Sequence, residues 1–244
     1  LADGRSNGAY NIKNKEVMYE RVKMAAAFMF LSPGPKMIWQ FDELGYDINI
    51  DFNGRIGRKP LPWGSNSLLY YEDEYRQHIY TAYSKILELR KMVDPTKLAA
   101  ATKSHVLTGD VRRLTFNTDD IDLTLIGNFA VSDKNGDAKF TQTGWWYEYF
   151  SGDSINVTQT NANNLALKPG EWRIYTNQKL SNGFPEVVAL YTNPVTINPN
   201  PFKEDEEITI RFDARKASPK NTNGLVGANK VYIHSGVILN KAND

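Results

Sequence analysis

The chain has 244 residues, enough for one large domain or two ordinary ones. With 29 Lys+Arg against 28 Asp+Glu, its formal net charge is +1, which excludes the broad basic field that a nucleic-acid or polybasic membrane-surface protein relies on. It has no cysteine, so disulfide scaffolds, thiolate zinc sites and Cys nucleophiles are excluded as well.

The chain opens on Leu1-Ala2-Asp3-Gly4-Arg5, with neither an initiator Met nor the layout of a signal peptide, and it reads as an excised or processed piece. From Lys15 to Leu31, Val17, Val22, Ala25, Ala26, Phe28, Met29 and Phe30 form an almost continuous apolar surface. That pattern predicts a helix buried against something large. Its most apolar run, Met24 to Leu31, covers roughly half the ~20 residues of a membrane span, so no span is expected. Ser32-Pro33-Gly34-Pro35 stops the helix. Lys36–Phe41 is a short apolar run bounded by turn residues and predicts a buried strand.

Gly45 to Tyr71 is punctuated by Gly, Pro and Asn without a period, and a loop of that length inside a compact domain is usually functional. A second helix follows over 72–93. Tyr75, Ile79, Ala82, Ile86, Leu89 and Val93 recur at three- and four-residue steps, with acidic residues at the start and Arg90-Lys91 at the end. Asp94-Pro95 terminates it.

From Leu98 to about Asn193 the texture is β. Alternation is visible in Val111–Phe116, Ile121–Ile126 and Glu171–Tyr175, and turns are expected at Asn135-Gly136 and Lys168-Pro169-Gly170. That spacing predicts an antiparallel β-sandwich. The segment 194–201, with three prolines, is expected to be a linker. Beyond it, Glu207–Phe212 and Lys230–Ser235 are strand-like, too little for a sandwich of their own.

Pro33-Gly34-Pro35-Lys36-Met37-Ile38-Trp39-Gln40-Phe41-Asp42-Glu43 resembles a signature region of the α-amylase superfamily of glycoside hydrolases, a Gly/Pro turn with a Glu several residues later: Gly34, Pro35 and Glu43 here. Arg58-Lys59-Pro60-Leu61-Pro62-Trp63 is similar to that family's stretch after the eighth barrel strand. Asn128-Phe129, Trp146–Gly152 and Leu167–Trp172 resemble the β-sandwich that follows the barrel. The resemblance covers roughly residues 1 to 193 and is greatest to bacterial starch-acting members, of α-amylase or 1,4-α-glucan branching-enzyme type.

The resemblance implies an α+β chain: the C-terminal segment of a (β/α)8 barrel (1–97; two helices, one strand), a β-sandwich (98–193), then a linker and truncated β module (194–244). It implies a retaining mechanism in the intact enzyme, with nucleophile and acid about 5–5.5 Å apart. All three catalytic carboxylates are expected upstream of Leu1, so the piece alone is expected to be inactive. It also implies sugar contacts from Asp51, Arg55 and Arg58, a structural role for Glu43, and a bracing or stacking role for Trp63. The alternative for Asp51 and Arg55 is a local ion pair on a solvated loop.

In Trp145-Trp146-Tyr147, strand neighbours face opposite sides, so only one Trp belongs to a core. If that is Trp146, Trp145 and Tyr147 share the outer face, either as a glucan platform or as packing against the barrel. Asp133–Asp137 imitates the start of a calcium loop, but position twelve is Gly144, and the hairpin reading prevails. His78, His105 and His234 are too scattered for a metal site. No metal or cofactor is therefore expected in this chain, although calcium is compatible with the intact enzyme. The expected partners are an α-glucan, the missing N-terminal barrel segment and a second copy of the chain, and the expected location is periplasmic, outer-surface or secreted. A non-catalytic glucan-binding or barrel-bracing β module is the alternative.

Overall fold

The computed structural model describes residues 6–8, 10–63, 68–160, 163–184, 195–198 and 209–212. A two-residue ladder, β1 (Ser6–Asn7) with β2 (Tyr10–Asn11), leads into α1 (Lys15–Leu31). The helix ends where the Ser32 N–H and hydroxyl both bond the Phe28 carbonyl, and Gly34 then turns the chain at a φ of 92°. Helix α2 (Glu74–Val93) is capped by Asp73, whose carboxylate accepts from the Tyr75 and Arg76 amides.

Two expectations fail between and after these helices. Lys36–Phe41 is no strand: 36–39 has no ladder partner among the described residues, Gln40-Phe41 is already a turn, and Met37 is 77% exposed. An apolar, β-prone run becomes a strand only when another strand takes up its N–H and C=O groups. Second, Asp94-Pro95 does end α2, but the β region does not begin at Leu98. Asp94 caps a further short helix, α3 (Pro95–Ala100), with the proline in its first turn, where a missing N–H costs nothing.

The β region comprises β3 (Thr102–Val106), β4 (Val111–Asn117), β5 (Leu123–Asn128), β6 (Lys134–Asp137), β7 (Gly144–Glu148), β8 (Ser154–Val157), β9 (Asn164–Leu167) and β10 (Trp172–Thr176). Six of these form an antiparallel sheet in the order β3-β4-β5-β10-β7-β8, and β6 pairs separately with β9. The turn expected at Asn135-Gly136 is instead the middle of β6. Gly136 is there for a close approach, since a Cβ on it would lie 2.5 Å from Val111 Cγ1. The turn at Lys168-Pro169-Gly170 does form, closed by the Glu171 N–H on the Lys168 carbonyl.

Two apolar clusters hold these layers. One unites Met24, Phe30, Ile79, Ile86, Leu125 and Ile174 between the helices and one face of the six-stranded sheet. The other puts Ile126, Phe140, Trp146, Val157, Leu167 and Tyr175 between the opposite face and β6–β9. The apolar surface of α1 is therefore covered on two sides. Phe30 meets Tyr83 of α2 edge-on at 4.9 Å, and Phe28 meets Phe129 at 5.3 Å. Arg21 adds hydrogen bonds to the Phe129 and Ala130 carbonyls, at 2.9 and 2.6 Å. Among the described residues, no helix is long and apolar enough to cross a membrane.

The chain divides into two compact units, 1–192 and 193–244. In the second, β11 (Val195–Asn198) pairs antiparallel with β12 (Thr209–Phe212). The segment expected as a linker thus contains a strand. Lys230–Ser235 lies outside the described residues.

Candidate functional site

The loop from Asp42 to Trp63 carries most of the residues singled out in the sequence. It begins with a single 3-10 turn, Asp42–Leu44, and then folds through successive turns. The amides of Phe52, Gly54 and Gly57 donate to the carbonyls of Asn49, Asp51 and Gly54, at 2.9, 2.9 and 3.0 Å. Asn53 sits in the left-handed region at φ 55°, which asparagine tolerates better than most residues. The Lys59 ammonium closes the loop on the Phe52 and Gly54 carbonyls, both at 2.5 Å.

These turns present Asp51, Arg55 and Arg58 to solvent on one loop. Asp51 and Arg55 do not form the local ion pair, so among the described residues both charges are free to meet a ligand. A carboxylate and two guanidiniums on a pinned turn can accept from and donate to vicinal hydroxyls. Apolar side chains crowd the same stretch: Ile50 and Phe52 are half exposed and Ile56 fully so.

The base of the loop is an aromatic ladder. Trp63 packs edge-on against Phe41 at 5.0 Å, Phe41 against Tyr46 at 5.5 Å, and Tyr46 against Tyr70 at 6.0 Å. Trp63 remains about half exposed. Tyr46 donates to the Pro60 carbonyl at 2.7 Å, tying the two arms together. Tyr70 donates to Asp47, and burial together with that hydrogen bond pushes its phenol up to about 12.

Gly34 supplies the turn, and its carbonyl accepts from Arg90 at 2.9 Å; Pro35 follows it, exposed. Glu43 is half-buried but has no hydrogen-bond partner among the described residues, so it does not lock the loop as the family resemblance implies. Burial, and after it the Asp42 and Glu43 carboxylates, raise the Tyr83 phenol to about 12.

Trp145 lies on β7, apart from this loop, and is 49% exposed, whereas its neighbour Trp146 is fully buried. Register places Asn156 opposite Trp145 and Ser154 opposite Tyr147, so an aromatic–amide face runs across β7 and the edge strand β8. The imitation calcium loop is part of the β6 ladder, with Asp133 paired to Lys168 at 2.6 Å. No group of His, Asp or Glu that could hold a metal occurs among the described residues.

Sequence reasoning missed Asp47 and Arg76, which hold the loop, and Arg90, which holds the exit from α1. The signal was the stripe 76-79-83-86-90-93, which alternates steps of three and four and places two arginines where apolar residues belong. Tyr75, read as part of the buried stripe, is 37% exposed and donates instead to Glu16.

No family model matches the chain, and no curated protein matches it. Among solved structures, it is similar to a variant of AmyP in complex with maltotriose, at 14% identity over 67% of this chain and 35% of that one, with a TM-score of 0.49. It is also similar to the trehalose-6-phosphate hydrolase of Bacillus licheniformis, at 16% identity over 68% of this chain and 40% of that one, with a TM-score of 0.47. The chain spans about a third of the length of the first of these structures. With the α-amylase from Geobacillus thermoleovorans, complexed with acarbose, it shares a fold over 70% of its own length and 36% of that chain, at 14% identity and a TM-score of 0.51.

Proposed function

We propose that the chain is part of a glycoside hydrolase of the α-amylase superfamily acting on α-1,4-glucans such as starch, glycogen or maltooligosaccharides. The intact enzyme is read as a retaining hydrolase or a 1,4-α-glucan branching transferase, secreted or held at a bacterial outer surface or periplasm. Within it, this chain contributes sugar contacts from Asp51, Arg55 and Arg58, and the carboxylates of the chemistry belong to the missing N-terminal barrel segment. The observation that carries the reading is the fold shared with the Geobacillus thermoleovorans α-amylase over 70% of the chain. The motif order around Gly34, Glu43 and Trp63 supports it independently. The unpaired, exposed segment 35–39 fits an element whose strand neighbours lie in that missing segment, or in a second copy of the chain.

A second reading, a non-catalytic glucan-binding face, is favoured by the half-exposed Trp145 beside Tyr147 and Asn156. Stacking on a sugar ring needs an exposed aromatic face, and Trp145 has one. Titration with maltoheptaose, followed by Trp fluorescence, tests both readings. Saturation lost in Asp51→Asn and Arg58→Gln supports the loop, and saturation lost only in Trp145→Ala supports the sheet face. No response at millimolar sugar leaves the sheet a brace for the helices and refutes both.

A further inference from the structure

Helix α2 buries two arginines about four turns apart on its inward stripe, Arg76 at 3% exposure and Arg90 at 9%. A guanidinium enclosed in an apolar interface is costly unless its donors are satisfied. Both are satisfied almost wholly by backbone carbonyls. Arg90 donates to Phe30, Ser32 and Gly34, at 2.6, 2.8 and 2.9 Å. Arg76 donates to Leu44 and Gly45, at 2.9 and 2.5 Å, and pairs with Asp47 at 3.2 Å. The Arg76 guanidinium also stacks 3.5 Å from the centre of the Tyr70 ring and 5.0 Å from that of Tyr19. The two sets of carbonyls are the two ends of one connection. Between them runs segment 35–39, which forms neither helix nor strand and has no ladder partner among the described residues.

We infer that Arg76 and Arg90 are positioning residues that form a two-point clamp, holding this connection by side chain where a sheet would hold it by ladder hydrogen bonds. Arg90 fixes the exit from α1. Arg76 fixes the entry to the loop and, through Asp47 and Tyr70, the conformation in which the loop presents Asp51, Arg55 and Arg58. A planar fork of donors is what the task requires, because each guanidinium meets two or three acceptors at once, and a lysine ammonium on its flexible stem does not reproduce that geometry. The consequence for sugar binding rests on the function proposed above; the clamp itself does not.

Hydrogen exchange by mass spectrometry on the full chain tests the clamp. The amides of Leu44, Gly45 and Tyr46 are hydrogen-bonded within the turn, so their exchange reports its opening. In Arg76→Met they should exchange on the order of a hundredfold faster, with β4, β5 and α1 unchanged. In Arg90→Met the acceleration should move to the last turn of α1 and Ser32. Should either methionine variant fail to fold, Arg76→Lys and Arg90→Lys give smaller accelerations at the same places. Tyr70→Phe, which keeps the ring and removes the bond to Asp47, should accelerate only the Arg76 end. Unchanged exchange at 44–46 in Arg76→Met, or acceleration spread evenly over helices and sheet, overturns the inference. Maltoheptaose affinity should fall about tenfold in Arg76→Met and stay near wild type in Arg90→Met. If the wild-type chain binds no maltoheptaose, the functional reading fails and the exchange pattern still decides the clamp.

Discussion

Replacing each of the adjacent tryptophans in turn tests whether the sheet faces are assigned correctly. Trp146 is fully buried in the cluster against β6–β9, its ring 4.9 Å from that of Phe140, and its indole N–H donates to the Gln142 carbonyl at 3.1 Å. Trp146→Ala removes a large buried ring, leaves a cavity and orphans that carbonyl, a loss of about 3–5 kcal/mol. Trp145 keeps roughly half its surface in water and lies near the sheet edge, so Trp145→Ala gives up about 1–2 kcal/mol of burial and leaves no closed void. The two variants should differ by about 1–4 kcal/mol, which for a unit of this size is about 2–4 °C in Tm for each kcal/mol. Urea unfolding followed by far-UV circular dichroism is the suitable assay, because its signal does not depend on the residue removed. Equal losses, or the larger loss at Trp145, would refute the assignment of faces and the exposed aromatic surface that depends on it.

Gly152 sits at φ 78°, and a Cβ there would approach the Asn182 carbonyl oxygen to 2.5 Å. Gly152→Ala is therefore expected to cost about 2–4 kcal/mol, and a change in Tm of less than a degree would contradict it. The carboxyl of Glu148 is enclosed, and burial raises its pKa although the Ser151 and Ile174 amides donate to it and Arg173 lies near. A folded value above the unfolded one means that its contribution is fully present below the unfolded pKa and is lost as pH rises through the folded pKa. The stability of wild type relative to Glu148→Gln, measured by denaturant titration, should accordingly shrink as pH rises from about 4 toward neutrality. A difference that grows over that range would refute the burial argument.

Where short-range signals were sufficient, the sequence was legible. Lys15–Leu31 and the C-terminal end of α2 follow from periodicity and from the Pro/Gly and Asp-Pro punctuation. The strands β4, β5 and β10 follow from alternation. Elements that depend on distant partners were not legible. Lys36–Phe41 has the composition of a strand and no ladder to join among the described residues, and Gly136 is a close-approach glycine that local rules read as a turn. Asp94-Pro95 stops α2 as read, but the same pair is also a good helix start, so α3 occupies Leu98, where the β texture was expected to begin. At the site, Asp51, Arg55 and Arg58 fall together because they are neighbours on one loop. The residues that hold that loop come from α2, and their role depends on a fold that brings position 76 to positions 44–47.

The most direct test is calorimetric titration of the chain with maltoheptaose and, separately, with cellohexaose, followed by chromatography of the recovered sugars. Saturable heat with the α-linked chain, weakened about tenfold by Asp51→Asn, with no heat from the β-linked chain and both sugars recovered intact, is the expected result. Equal heats from the two sugars, no heat from either, or shortened maltoheptaose in the recovered sample would contradict the proposal that this chain supplies α-glucan contacts and leaves the chemistry to its missing barrel.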